Sequence, residues 1–167
     1  PIVYNSGGYD DTEVLQTLEG YIDIYLIDLK YLSSDRALRY SKAADYPEVA
    51  KRALLEAYRQ KNRCVFKDGI MQSGVIVRHL LLPQGTREAI SVFDWVRENM
   101  PNAYFSIMSQ YTPCHKAFSY KEISRKISTL EYNKALDLAL NLGLTGFMQE
   151  RSSAKEEYTP LFDLTGI

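Results

Sequence analysis

The sequence predicts an α/β fold, a mainly parallel sheet with flanking helices. Residues 21–30 form an almost continuous apolar and β-branched run that becomes polar only at its end, which is typical of a buried parallel strand. A second such run, residues 74–82, is stopped by Pro83 and Gly85. Amphipathic helical patterns separate the strand-like runs by short connections, which favours right-handed βαβ units. The 167 residues are expected to form a single domain, residues 1–167.

The first third of the chain predicts a strand, a short helix and the central strand. Residues 2–5 have a strand pattern, and the glycine-containing residues 6–8 a tight turn. Asp10 with Glu13 has the form of a capping box for a helix that precedes Gly20. Residues 21–30 then form the strand around which the chain is organised.

The remaining elements continue the alternation. Thr86 is expected to cap a helix that ends before Pro101. The patterns predict, in order, a polar helix or loop (33–42), a helix (45–61), an extended piece (64–66), a turn (67–69), a strand (74–82), a helix (86–100), strands at 104–110 and 145–149 around a helix at 131–142, and an apolar tail at 161–164.

Polar side chains end the predicted strands, where α/β folds place their chemistry. This ring consists of Asn5, Asp28, Lys30, Arg78 or His79, Gln110 and Gln149. Strand alternation places Asp28 and Lys30 on one face. The pair could hold a cation, polarise a carboxylate or, with Lys30 desolvated, form a Schiff base; a purely structural ion pair is equally compatible with the pattern.

Composition narrows the classes of function. The chain has 20 Lys and Arg against 21 Asp and Glu, which gives no general reason to expect nucleic acid or an anionic membrane as a partner. The two cysteines, Cys64 and Cys114, are too few for a disulfide framework and are not spaced as metal ligands. No apolar run reaches the length of a membrane span. A cytoplasmic location is therefore expected.

An ordered series of motifs resembles the radical S-adenosylmethionine (SAM) proteins related to pyruvate formate-lyase activating enzyme. The segments that carry the resemblance are VYNSGGY (3–9), DIYLIDLK (23–30), SKAADYPE (41–48), GVIVRHLLLP (74–83), SQYTP (109–113) and FDLTG (162–166). Each segment is weak alone, but the ordered series is specific and extends over essentially the whole chain.

The resemblance implies a partial (β/α)6 TIM-like barrel that uses a [4Fe-4S] cluster and SAM. In that family the reduced cluster passes an electron to SAM, and the resulting 5′-deoxyadenosyl radical abstracts hydrogen, in the activases from a glycine of a partner enzyme. The implied partners are thus a glycyl radical enzyme and a reduced flavodoxin or ferredoxin-type electron donor. The implied SAM-binding residues are Asn5, Ser6, Asp28, Lys30, Arg78 and Gln110.

The cluster motif of that family, three cysteines spaced C-x3-C-x2-C, does not occur in this chain. We therefore expect the chain to be the C-terminal portion of such a barrel, with no catalytic residue and no metal ligand of its own. The fragment is expected to be inactive and to self-associate through its exposed strand edge. The sequence also leaves two other classes open, a Schiff-base aldolase-type barrel using Lys30 and a non-catalytic binding module.

Overall fold

Five parallel strands form the main sheet of the computed structural model, which describes residues 1–148. These strands are β1 (Val3–Ser6), β2 (Ile24–Asp28), β4 (Ile70–Leu80), β5 (Tyr104–Met108) and β6 (Gly146–Met148). They pair in the order β1-β2-β4-β5-β6, and every pairing on this path is parallel. The short strand β3 (Val65–Lys67) instead forms an antiparallel hairpin with the start of β4. Neighbours in the sheet follow chain order, which is compatible with a partial barrel.

Helices connect the parallel strands. They are α1 (Thr12–Thr17), α2 (Ser34–Ser41), α3 (Tyr46–Gln60), α4 (Thr86–Asn99) and α5 (Thr129–Asn141), with two short 3-10 helices at His115–Ser119 and Lys121–Ile123. None of the helices within residues 1–148 is long and apolar enough to cross a membrane. The predicted α/β class with a mainly parallel sheet and flanking helices is confirmed.

The core lies between the helices and one face of the sheet. Tyr25 and Ile27 of β2 are fully buried there, as are Val75 and Val77 of β4. They pack against small and aliphatic residues of the helices, among them Ala53 of α3. Each large apolar side chain buried in this way contributes about 1.5–3 kcal/mol. The parallel register of β2 and β4 is therefore fixed by the alternation of their side chains.

The opposite face of the sheet is only partly covered. Leu26 on β2 and its register partner Ile76 on β4 are half-buried. Asp28 and Arg78, also register partners, project from this same face one step further along the strands. Asp28 and Arg78, two of the polar residues named from the sequence, therefore lie on the side of the sheet that the helices leave open.

Two predicted helix caps are wrong. Asp10 does not cap α1: Asp11 does, because its carboxylate accepts a 2.8 Å hydrogen bond from the Glu13 amide. The carboxylate of Asp10 is instead bound to the end of β1. Thr86 lies inside the first turn of α4, and Gly85 is the N-cap, without a side-chain hydrogen bond.

Predicted element boundaries also change. The central strand is shorter than residues 21–30 because Gly20 adopts a left-handed φ of 88° and the following residue, Tyr21, is turned outward with 72% of its surface exposed. Helix α5 begins earlier than predicted because Ser128 and Glu131 form a capping box. Gln149 and the predicted apolar tail at residues 161–164 lie outside the described residues.

Candidate functional site

Arg78 joins three neighbouring strands at their carboxyl ends. Its Nε donates a 2.7 Å hydrogen bond to Asp28 Oδ1 on β2, and its Nη2 donates a 2.7 Å hydrogen bond to Asn5 Oδ1 on β1. The side chains of Asp28 and Arg78 are 16% and 21% exposed. The pair is thus screened by solvent less than a surface ion pair, yet still reachable by a ligand. We call Asn5, Asp28, Arg78 and Lys30 the strand-end cluster.

Lys30 extends the cluster at its solvent side. Its Nζ lies 3.8 Å from Asp28 Oδ2, which is an ion pair without a short hydrogen bond, and its side chain is 41% exposed. The predicted placement of Asp28 and Lys30 on one face is therefore confirmed. One carboxylate holds two cationic side chains, which leaves the cluster with a formal excess of one positive charge.

Two further residues predicted from the sequence, Ser6 and Gln110, are not part of the strand-end cluster. The Ser6 hydroxyl donates to the carboxylate of Asp10 and accepts a 3.0 Å hydrogen bond from the Gly8 amide, so it organises the turn after β1. The Tyr4 hydroxyl binds the same carboxylate, which places Ser6 and Tyr4 together on the strand face opposite to Asn5. Gln110 follows β5 by two residues, and its amide lies 3.7 Å from Met108 Sδ.

His79, the alternative to Arg78, points into the core. It is 2% exposed, its Nδ1 lies 2.7 Å from the Leu29 carbonyl oxygen, and its ring meets that of Phe93 edge to face. Burial lowers the pKa of this imidazole, so the ring is neutral at neutral pH. Of the two neighbours, only Arg78 contributes to the strand-end cluster.

Tyr46 and Gly8 support the cluster, and the sequence did not single them out for this role. The Tyr46 hydroxyl lies 2.9 Å from the carbonyl oxygens of Gly7 and of Asp28, and it accepts a 3.1 Å hydrogen bond from the Lys30 amide. Burial raises the pKa of this phenol, which keeps it a neutral donor. One hydroxyl therefore ties the turn after β1 to the end of β2.

Gly8 is required for this close approach. It has a φ of 85°, and a Cβ at this position would lie 2.2 Å from the Asp28 carbonyl oxygen and 2.9 Å from the Tyr46 hydroxyl. The sequence predicted a tight turn at residues 6–8 but not the close packing of Gly8 against Asp28 and Tyr46. The role of Tyr46 was not predictable. Its position in the helical pattern does not indicate that its hydroxyl contacts the turn after β1 and the end of β2.

The strand-end cluster can bind a ligand that carries both a hydrogen-bond acceptor, such as a carboxylate, and a hydrogen-bond donor, such as an ammonium group. Arg78 has five N–H donors and commits Nε and Nη2 within the cluster, so the others can meet a carboxylate or a ribose hydroxyl. Asp28 Oδ2, 3.8 Å from Lys30 Nζ, can accept from a ligand ammonium. Within residues 1–148 no group of three or more His, Cys, Asp or Glu side chains could hold a metal ion.

Comparisons with known proteins give one relative in sequence and several structural neighbours, one of which is described below. A protein of Methanocaldococcus jannaschii, described as uncharacterized, is 34% identical over 140 residues. The match covers 83% of this chain but 38% of that protein, so the chain spans well under half the length of this relative. No protein-family model matches the chain.

One structural neighbour is a crystal structure of a domain of pyruvate-formate lyase-activating enzyme from Bacteroides vulgatus. The two superpose with a TM-score of 0.56 over 84% of this chain and 75% of that one, at 12% sequence identity. At this identity the similarity concerns the fold. The chain therefore has an α/β fold similar to that of a domain of a pyruvate-formate lyase-activating enzyme, with a strand-end cluster of Asn5, Asp28, Lys30 and Arg78 at the carboxyl edge of its sheet.

Proposed function

We propose that this chain is the C-terminal part of a radical SAM enzyme similar to pyruvate formate-lyase activating enzyme, with its sheet forming part of a (β/α)6 barrel. The observation that carries the proposal is the hydrogen-bonded bridge from Arg78 to Asp28 and Asn5 across three parallel strand ends. Its position agrees with the general placement of ligand sites in α/β folds. The similarity of fold to a domain of such an enzyme supports the same assignment.

The residues of the strand-end cluster fit the methionyl end of SAM. Asp28 and Asn5 offer oxygens to its ammonium group, while Arg78 and Lys30 offer N–H donors to its carboxylate. Bound SAM would supply the 5′-deoxyadenosyl radical once an electron reaches it. The contribution of this chain is to bind and orient that cofactor. A contact of Gln110 with the adenosine, and one of Ser6 with the methionyl group, remain predictions from the sequence.

The residues of this chain do not fit a [4Fe-4S] cluster. Cys64 Sγ lies 3.5 Å from the Asn102 carbonyl oxygen, before β5 begins, whereas Cys114 follows the opposite end of β5. The two thiols thus lie at opposite ends of the parallel strands. We propose that the cluster is held by protein sequence outside this chain. A glycyl radical enzyme as target, a flavodoxin- or ferredoxin-type electron donor and a cytoplasmic location are part of the same proposal.

A Schiff-base role for Lys30 is the second candidate. The nucleophile of such an enzyme must be a neutral amine, which desolvation favours. Lys30 is 41% exposed and lies 3.8 Å from the Asp28 carboxylate, so it is not in the desolvated pocket that such a nucleophile needs. Borohydride trapping with carbonyl substrates tests this candidate directly, because a covalent adduct at Lys30 would replace the radical proposal. A binding module without catalysis is the third candidate.

The experiment uses the complete gene product that contains this chain. We would reconstitute it anaerobically with iron and sulfide, record its electron paramagnetic resonance spectrum after reduction, and measure 5′-deoxyadenosine formed from SAM. We expect a cluster signal and 5′-deoxyadenosine. If the protein gives neither, the radical SAM proposal is refuted and the non-catalytic binding module becomes the better candidate. Asp28→Asn and Arg78→Gln should each weaken SAM binding, whereas Arg97→Gln on the exposed surface of α4 should not.

Self-association of the isolated chain is tested separately. Among the described strands β1 pairs only with β2, and Ile2 and Val3 are 60% and 48% exposed. Such an edge favours pairing with a second copy. We expect a dimer or higher oligomer by light scattering; a monomer would contradict this part of the proposal without affecting the SAM site.

A further inference from the structure

A cavity of about 250 Å³ lies between α2 and the loop that follows β5. Four tyrosine rings line it: Tyr31, Tyr40, Tyr111 and Tyr120. Tyr31 belongs to the core on the helix side of the sheet, so this cavity is separate from the strand-end cluster. It nevertheless lies just beyond strand ends, since Tyr31 follows β2 and Tyr111 follows β5.

The hydroxyl groups of these tyrosines are already engaged by the protein. Tyr111 donates a 2.8 Å hydrogen bond to the Ile123 carbonyl oxygen, and Tyr120 donates one of 2.9 Å to the Arg39 carbonyl oxygen. The Tyr40 hydroxyl donates to Glu122 Oε1 at 3.0 Å. Tyr31 accepts from the Ser41 hydroxyl at 3.3 Å. Three of these hydroxyls are thus committed as donors, whereas the Tyr31 hydroxyl only accepts, so most of what remains for a ligand is aromatic ring surface.

The rings are held at set angles to one another. Tyr40 and Tyr120 meet edge to face with their centroids 5.4 Å apart, and Tyr31 is tilted by 43° against Tyr40 at 6.2 Å. Because hydrogen bonds anchor both the helix and the loop that carry them, the cavity is formed before a ligand arrives. Such aromatic walls favour a flat ring that can stack or meet them edge to face.

The charge around the cavity selects the sign of the ligand. Arg39 and Glu122 form a 2.7 Å ion pair and neutralise each other, and the Arg39 guanidinium lies 5.1 Å from the centre of the Tyr120 ring. Lys116 lines the same cavity, is exposed, and forms no ion pair within residues 1–148. Lysine ammonium groups attract carboxylate and other anionic groups. The rim of the cavity therefore has a positive charge at Lys116, and Lys42, whose Nζ lies 3.4 Å from the Tyr120 hydroxyl, adds a second beside it.

We propose that this tyrosine-lined cavity binds a small planar aromatic anion, with its ring against Tyr40 and Tyr120 and its negative group toward Lys116. The proposal is independent of the SAM site and holds whether or not the chain belongs to a radical enzyme. Cys114, an exposed free thiol on the rim, provides a chemical reporter of occupancy.

The test uses three probes with the same ring and different charge: 2-naphthoate, neutral 2-naphthamide and cationic 2-naphthylmethylammonium. Binding to the 167-residue chain is measured by calorimetry, and alkylation of Cys114 by iodoacetamide is followed by mass spectrometry with the half-buried Cys64 as internal control. We expect 2-naphthoate to bind most tightly and to slow alkylation at Cys114 but not at Cys64. Equal binding of all three probes, or no protection of Cys114, would overturn the proposal.

A matched pair of variants distinguishes the charge of Lys116 at the cavity from the general loss of a positive charge on the protein surface. Lys116→Gln should weaken 2-naphthoate by about fivefold, the equivalent of an exposed ion pair of about 1 kcal/mol, and leave 2-naphthamide unchanged. Lys121→Gln removes the same charge from the same loop outside the cavity and should leave both affinities unchanged. Tyr120→Leu should weaken both probes. If Tyr120→Leu does not fold, the comparison of Lys116→Gln with Lys121→Gln still decides, because equal effects of these two variants would refute the proposal.

Discussion

The bond between Asp28 and Arg78 offers a quantitative test of the strand-end cluster. The perturbation is a double-mutant cycle of Asp28→Asn, Arg78→Gln and the two together. The single Arg78→Gln change also removes the bond to Asn5, but the cycle isolates the term shared with Asp28.

The expected magnitude follows from the geometry. Two unit charges about 4 Å apart attract each other by roughly 4 kcal/mol at an effective dielectric constant near 20. Desolvation opposes part of this, because the two side chains are only 16% and 21% exposed. We therefore expect a coupling energy of about 1.5–2 kcal/mol, above the range of about 0.2–1 kcal/mol for exposed pairs.

Urea unfolding followed by circular dichroism at pH 7 measures the coupling energy. Asp94 and Arg97 on α4 form a matched control, since their 3.5 Å ion pair is 42% and 47% exposed, and we expect about 0.3 kcal/mol for it. Added salt should weaken the control pair more than the Asp28–Arg78 pair. If both cycles gave the same coupling energy, the reasoning that the strand-end cluster is a partly buried, pre-formed site would be refuted.

Three further predictions test the surroundings of the site and the fold. A left-handed φ costs a residue other than glycine roughly 1–2 kcal/mol, and Gly8→Ala should destabilise the chain by well over this amount because its Cβ would also clash. Gly69→Ala, at a φ of 77° with open space around its Cβ, should cost only the backbone term. Equal losses of stability in urea unfolding would contradict the steric argument. Arg125 and hydrogen bonds hold the pKa of the Glu131 carboxyl far below its usual range, so the stability it contributes is complete above about pH 5 and is lost as the pH falls. Glu131→Gln should make the free energy of unfolding less dependent on pH in the acid range. An unchanged pH dependence would show that Glu131 is not its source. Burial lowers the pKa of His79 in the folded chain. The contribution of this residue to folding stability should therefore be complete above about pH 7 and decline as the pH falls below about 6.5, where the imidazole of the unfolded chain takes up a proton. His79→Gln should abolish that decline in thermal unfolding.

Local sequence patterns determined the class of fold. The apolar runs that became β2 and β4 were visible because most residues of these strands are buried or half-buried, which leaves few positions for polar side chains. The helical patterns around Ala53 and Val92 were equally clear, since both residues are fully buried. Caps were predicted less well, because Asp10 and Asp11 have the same chemistry and only the path of the chain decides which one meets the Glu13 amide.

The candidate site was predictable only in part. Alternation along a strand was enough to place Asp28 and Lys30 on one face, because side-chain direction in a strand repeats every two residues. The bond from Arg78 to Asn5 joins residues 73 positions apart, and it exists because β2 lies between β1 and β4 in the sheet. No local pattern contains that strand order.

The sequence by itself therefore determined the alternation of strands and helices and the polar character of the strand ends, both of which are encoded locally in spacing and hydrophobicity. Only the tertiary structure decided that Arg78 rather than His79 faces the cluster, that Ser6 turns away toward Asp10, and that the Tyr46 hydroxyl fastens two loops. The same holds for the tyrosine-lined cavity, whose walls come from segments far apart in the chain. Such contacts depend on strand register and on packing between distant segments, which a linear pattern does not specify.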